Sequence, residues 1–382
     1  MSLGGPTLTI PASEQKLQKI GLGLLVVGCV VGTALGALFM APALLEGGAC
    51  SAMCLGMVLA FPAAAMYLTV PRLLDRYDPE PWYALLGCLV WGGTAAAGFS
   101  IAINSTVGAI AFGVTGDEQV ADIVGAVVSA PITEEFFKAM GIFGVFYFLR
   151  REFDGIVDGI IYATFIALGF AAVENILYYG RAAQAGELTG VFIARGILFP
   201  WGHPVYTSMT GIGFGLARES EKAWVRKLAP FLGFGAAIML HAMWNASASF
   251  AEASGGIYFV CSLGIWFLFV VCFLVLIIIL VRRRGKVIRR FLTDEVALGN
   301  LSWAEVELVC DPFGVFKARL RHGRLGTDFV RAAARLALSK WHATRAHREQ
   351  KYTVSMDFIV PLRQRLKALR DEFILRQQQG RR

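Results

Sequence analysis

The chain has 382 residues, of which 56% are hydrophobic and only 17% charged, and its mean hydropathy is +0.58. Such apolar content excludes an ordinary soluble domain and indicates a polytopic membrane protein. The formal net charge of +8 does not point to nucleic acid, because the basic residues gather at the ends of apolar runs and in the C-terminal tail, as topology signals do.

Residues 1–19 form a short polar lead. Eight apolar runs follow, at about 20–44, 51–70, 82–112, 121–148, 156–179, 188–216, 228–250 and 257–281, each long enough for a membrane helix of roughly 20 residues. The first is too long for a signal-peptide core and is weakly basic at its flank, so it reads as a retained span. Lys16, Lys19, Arg72, Arg76, Arg150, Arg151, the segment 218–227 and Arg282 to Arg284 all fall on one side, and the opposite loops hold only Arg181. That asymmetry places both termini in the cytoplasm. The run 82–112 is long enough for a broken or tilted helix, and Pro62, Pro131, Pro200 and Pro204 predict kinks. Cys29, Cys88, Cys261 and Cys272 read as small hydrophobes, while Cys50 and Cys54 are candidates for a disulfide near an outer end.

Beyond Arg284 the composition becomes basic and polar. Ser302 and Glu305 read as a capping box, Thr327 as the N-cap of a helix to about His347, and Pro361 as the first residue of a helix with Leu362, Leu366, Leu369 and Phe373 on one stripe. The expected fold is all-α: a membrane helix bundle of about eight transmembrane helices over 20–284, with a small helical cytoplasmic segment over 285–382. The tail's Arg-rich faces suit anionic lipid, a cytoplasmic partner or plain solvation, and solvation is the simplest reading.

The candidate chemistry begins at Glu134, Glu135 and Lys138, set inside the apolar run 121–148. On a helix Glu134 and Lys138 lie one turn apart on one face, with Glu135 about 100° round. Glu134 falls near the bilayer midplane, where an ionised group costs at least ~3 kcal/mol, so such carboxylates are read as functional by default. Further polar groups share that depth: Glu174 and Asn175, Arg195, His203 beside Pro200 and Pro204, and His241 one turn before Asn245. Singly each has a structural reading: a satisfied histidine, an Arg195–Glu174 pair, an interhelical amide. Together Glu134, Glu135, Glu174, His203, His241 and Asn245, on four helices, make up a water-activating set of base, proton carriers and oxyanion donor. No H-E-x-x-H is present, and Asp158 has no second midplane Asp to pair with, which leaves a glutamate-based site.

These motifs, with the segment from Asp75 through Arg76, Tyr77, Asp78, Pro79 and Glu80 to Pro81, resemble the PrsW family of bacterial intramembrane proteases, which is related to the CAAX prenyl endopeptidase and bacteriocin-processing superfamily. The resemblance spans about 17–284 and leaves the tail outside. It implies a multi-pass protein of the bacterial inner membrane that cleaves membrane-anchored protein substrates. Where the CAAX enzymes carry histidine in the second motif, this chain has Glu174.

The roles expected from the groups themselves are as follows. Glu134 or Glu135 acts as general base without a cofactor, Lys138 offsets the second carboxylate, His203 and His241 position water or carry protons, and Asn245 with His241 holds the oxyanion. Glu174, supported by Asn175, is expected to pair with Arg195. Three rival readings stay open: a zinc protease with His203, His241 and Glu134 as ligands, a proton- or ion-coupled transporter, and a non-catalytic membrane scaffold.

Overall fold

The computed structural model describes residues 12–45, 47–75, 78–250, 257–348 and 355–379, and every regular element among them is helical. Arg76 and Tyr77 lie outside the described residues. Two compact units are formed: one from Pro11–Leu73 and Glu80–Phe273, the other including Leu74–Pro79 and Leu274–Arg382.

The first unit is the membrane bundle. It contains α1 (Ala12–Leu44), α2 (Ala49–Tyr67), a short α3 (Thr69–Leu74, of which Leu74 belongs to the other unit), α4 (Trp82–Trp91) and α5 (Ala97–Thr115). Then come α6 (Glu118–Ile123), α7 (Ala130–Phe148), α8 (Ile156–Ala185), α9 (Leu188–Phe192), α10 (Gly202–Glu219), α11 (Ala223–Ser249) and the start of α12 (Ile257–Ala297). Among the described residues six helices are long and apolar enough to cross a membrane, beginning at Ala12, Ala49, Trp82, Ile156, Ala223 and Leu263. The two expected spans not among them are 121–148, which holds Glu134, Glu135 and Lys138, and 188–216, which holds Arg195, and each contains a π turn. Cys50 and Cys54 on α2 are free thiols rather than a disulfide.

Three wide, π-helical turns interrupt the bundle helices, at Gly92–Ala96, Val124–Ser129 and Ile193–Leu198. A π turn bonds each N–H five residues back and inserts one residue into the helix, re-aiming everything beyond it. The expected break in 82–112 is thus a bulge between α4 and α5 inside one continuous helix.

Helix α8 is the axis. Residues from Ile160 to Ala172 are buried on every side, as befits a helix that is apolar all round. Its N-terminus is tied down by Asp158, whose carboxylate accepts from the Asp154 and Gly155 amides at 2.8 and 3.0 Å, and by Glu219, which accepts from the Ile156 amide at 3.0 Å. Its packing against α10 is backbone to backbone: a Cβ at Gly159 would strike the Gly211 carbonyl, and one at Gly211 would strike that of Gly159. Small residues permit that approach, and association in lipid depends on close van der Waals packing.

In the second unit the later part of α12, α13 (Trp303–Cys310), α14 (Gly314–Arg348) and α15 (Ser355–Gln379) enclose Ile288, Leu292, Val306, Val330, Leu336 and Leu366. The capping box is present, with the Glu305 amide donating to Ser302 Oγ and the Ser302 amide to Glu305 Oε2. Leu362, Leu366, Leu369 and Phe373 all face this core. Two helix starts differ from expectation. Thr327 lies inside α14, which kinks at Gly323 (φ 61°, ψ −139°), so the break falls at a glycine in a backbone region closed to other residues. Helix α15 begins at Ser355 and runs through Pro361, because the stripe that follows the proline is anchored in the core. Glu295, fully buried, accepts from Lys340, Arg363 and Asn300, and Asp78 pairs with Arg335 at 2.8 Å.

Candidate active site

The site is assembled around α7. Pro131 at its start has no N–H to donate, and in the π register of Val124–Ser129 the carbonyl that would have received that proton, five residues back, is Ala126. Asn245 of α11 donates Nδ2 to that oxygen at 2.8 Å. The amide expected to hold an oxyanion is therefore engaged in repairing the helix that presents the glutamates. On the other side Asn104 of α5 accepts from Ser129 and Thr133 at 2.7 and 2.8 Å. The entry to α7 is thus clamped from two helices.

Glu134, Glu135 and Lys138 then point into the bundle and are buried. Lys138 Nζ donates to Glu135 Oε1 at 2.9 Å and to Glu134 Oε2 at 3.4 Å, and lies 3.9 Å from the centroid of the Phe170 ring. It also sits 3.0 Å from His203 Nδ1. An ammonium has only protons to offer, so Nδ1 of His203 presents its lone pair inward, and Nε2–H donates to Glu174 Oε2 at 2.8 Å. His203 reaches this position because the chain breaks after Leu198 and restarts as α10 at Gly202, as Pro200 and Pro204 predicted.

His241 of α11 joins the same cluster. Nδ1 faces Glu135 Oε1 at 3.3 Å and Nε2 turns toward Glu134 Oε2, 3.9 Å away, so the ring lies between the two carboxylates. The two imidazole rings are edge to face with centroids 5.0 Å apart. Glu135 has both oxygens engaged, since Oε2 accepts from Thr207 at 2.8 Å. Glu134 is the less committed of the pair, which separates two residues that are adjacent and alike in sequence.

Behind His203, Glu174 is held by Arg195, whose Nη2 pairs with Oε2 and whose Nε donates to Asn175 Oδ1 at 2.8 Å. The guanidinium lies over the Tyr178 ring, its Cζ 3.7 Å from the centroid. The Arg195–Glu174 pair expected from sequence is present. Three carboxylates, Glu134, Glu135 and Glu174, thus share one buried site with the basic side chains Lys138 and Arg195.

The structure therefore brings Glu134, Glu135, Glu174, Lys138, His203 and His241 together, puts Arg195 and Asn175 behind Glu174, and sets Asn245 at the base of α7. Thr207 escaped the sequence reading, although its position one turn after His203 on the same face was the available signal. Ligand atoms of Glu134, His203 and His241 all lie within 4.8 Å of one another. A nitrogen of each imidazole and a carboxylate oxygen at that mutual distance, with further carboxylates beside both rings, suit a divalent metal such as zinc and its supporting shell.

Comparison with known proteins gives a family and three relatives. Residues 80–280 match the family described as "PrsW family intramembrane metalloprotease". A protein named "Protease PrsW" from Geobacillus kaustophilus is 37% identical over 117 residues, 29% of this chain and 48% of that protein. Those from Oceanobacillus iheyensis and Halalkalibacterium halodurans are 32% and 33% identical, each over 30% of this chain and 49% of theirs. The chain spans about half the length of the curated relatives it matches. No solved structure is similar to it at a significant level.

Proposed function

The chain belongs to the PrsW family of intramembrane metalloproteases, and on that premise we propose that it is an endopeptidase hydrolysing peptide bonds of membrane-anchored proteins, with Glu134, His203 and His241 holding a divalent metal at the reacting centre. The observation that carries this reading is the proximity of those three donors, with Glu174 beside His203 and Glu135 beside His241. A metal held there would supply Lewis acidity toward both the scissile carbonyl and the attacking water.

The chain's own residues do the rest. Glu134 takes a proton from water as the water oxygen bonds to the carbonyl carbon, and returns a proton to the amine nitrogen as the C–N bond breaks. Glu135 is a positioning residue: held by Lys138 and Thr207, it keeps the His241 proton on Nδ1. Glu174 does the same for His203, with Arg195 balancing its charge. Asn245 keeps α7 in register.

One observation favours a second reading, without metal. Lys138 Nζ already bridges Glu134, Glu135 and His203 as a cation would, leaving Glu134 to act on water alone. Purified protein separates the two. Stoichiometric zinc, with cleavage lost to a chelator and restored by zinc, supports the metal site; full cleavage with no metal supports Lys138 as the resident cation.

The basic residues at one set of helix ends support both termini in the cytoplasm of a bacterial inner membrane, with 285–382 available to a cytoplasmic partner. Membrane-protein fragments compared between cells expressing wild type and Glu134→Gln test the activity and reveal substrates together. Identical fragment inventories would refute a protease.

A further inference from the structure

Tyr206 lies on α10, three residues after His203, and is 1% exposed. Its ring stacks on His241, centroids 5.1 Å apart and planes 19° from parallel, and meets the edge of His203 at 6.1 Å. It therefore borders both imidazoles of the reacting centre. Trp266 of α12 closes over its outer side at 5.4 Å, and Trp244 of α11 packs on Trp266 at 5.3 Å.

The hydroxyl of this tyrosine is buried and has no hydrogen-bond partner among the described residues. Leaving a buried hydroxyl unmatched costs about 1–3 kcal/mol, and native structures seldom tolerate it without a use. Two other donors of the site are engaged elsewhere, Asn245 Nδ2 on Ala126 and the Thr207 hydroxyl on Glu135, while Ser208 and Thr210 of α10 also have unmatched hydroxyls but no ring to hold against the imidazoles. Tyr179, another buried tyrosine with an unmatched hydroxyl, packs on Phe192 and has no ring contact with either histidine. What distinguishes Tyr206 is an available O–H donor on a ring locked against the two imidazoles.

We propose that Tyr206 is a catalytic residue whose hydroxyl donates a hydrogen bond to the oxyanion formed from the scissile carbonyl, a role juxtaposed with His203 and His241 by the stacked ring and left open by the engaged Asn245 amide. This rests on the protease reading above. During hydrolysis the carbonyl oxygen gains negative charge as the water oxygen bonds to carbon, and the phenol stabilises that charge without transferring its proton. When the C–N bond breaks the carbonyl reforms and the hydrogen bond weakens. A donor that strengthens only as charge develops raises kcat and leaves KM nearly unchanged.

The test uses the full-length chain in detergent and two probes: a Leu-Leu-Ala peptide, and its phosphinic analogue with a tetrahedral anionic phosphorus in place of the scissile carbonyl. Wild type is expected to bind the phosphinic analogue more tightly than the amide. Tyr206→Phe, which keeps the ring, is expected to lose 10- to 100-fold in affinity for the analogue alone, with zinc content and melting temperature unchanged. Tyr179→Phe is expected to bind both as wild type does. Unchanged analogue binding by Tyr206→Phe, or equal weakening toward both probes, overturns the assignment and leaves the protease reading standing. A wild type with no preference for the analogue counts against the hydrolytic centre itself, and the assignment falls with it.

Discussion

Replacing Glu135 by glutamine tests the division of labour between the two adjacent glutamates. Glutamine keeps the shape: its oxygen can face Lys138 and His241, and its amide can face Thr207, whose hydroxyl rotates from donor to acceptor. What goes is the charge. At 2.9 Å and an effective dielectric constant near 20, the attraction between Glu135 and Lys138 is about 6 kcal/mol, against about 5 kcal/mol for Glu134 and Lys138 at 3.4 Å. Much of the lost term is returned, because the repulsion between the two carboxylates and the cost of burying one of them vanish as well. The remainder is of the order of one hydrogen bond to a charged group, about 1.5–3 kcal/mol. Lys138 is then drawn to Glu134, and the Nδ1–H of His241 faces a neutral oxygen. Losing such a supporting carboxylate typically weakens metal binding 10- to 100-fold. On the proposed reading Glu134→Gln removes a metal ligand and the proton acceptor together, so its loss should exceed that of Glu135→Gln at least tenfold. Zinc retention against a graded chelator series on purified protein, beside turnover of a cleaved substrate, measures both. Wild-type zinc affinity in Glu135→Gln, or the reverse order of the two variants, would refute the assignment.

Arg195→Met should leave Glu174 charged with only His203 to face, lowering both zinc affinity and turnover, while Arg195→Met combined with Glu174→Gln should recover part of the lost stability; a double-variant melting series checks this. Gly211→Leu forces a side chain into the Gly159 backbone, so α8 and α10 should fail to pack, seen as loss of the cooperative melt in detergent rather than a small shift. In the C-terminal unit, Glu295→Ala removes the shared acceptor of Lys340 and Arg363 and should cost about 3 kcal/mol, read as faster proteolysis of the 274–382 region in the intact protein.

The membrane bundle was legible because burial in lipid leaves a direct compositional mark, and Glu134 with Lys138 because four residues on a helix is one turn whatever the surroundings. The Arg195–Glu174 pair followed from charge balance alone. The role of Asn245 did not follow. Its place on the face of His241 was visible, but its partner is a backbone carbonyl that becomes needy only when a π turn and Pro131 coincide, and side-chain periodicity does not distinguish a π turn from an α turn over six residues. Thr207 was hidden because a threonine in an apolar helix ordinarily bonds its own backbone. In the tail, Thr327 and Pro361 obeyed the usual start rules, but the core around Leu336 and Leu366 extended both helices past them.

The wide turn at Val124–Ser129 makes the phase of the catalytic helix depend on a single surplus residue. Were its six residues to tighten into ordinary α turns with none removed, whatever lies on one side would swivel by about 100° relative to the other. Hydropathy and length would not change, so a chain tightened in this way should still insert in the bilayer. Its acidic pair would face away from the histidines, giving an inactive protein with every chemically important side chain present.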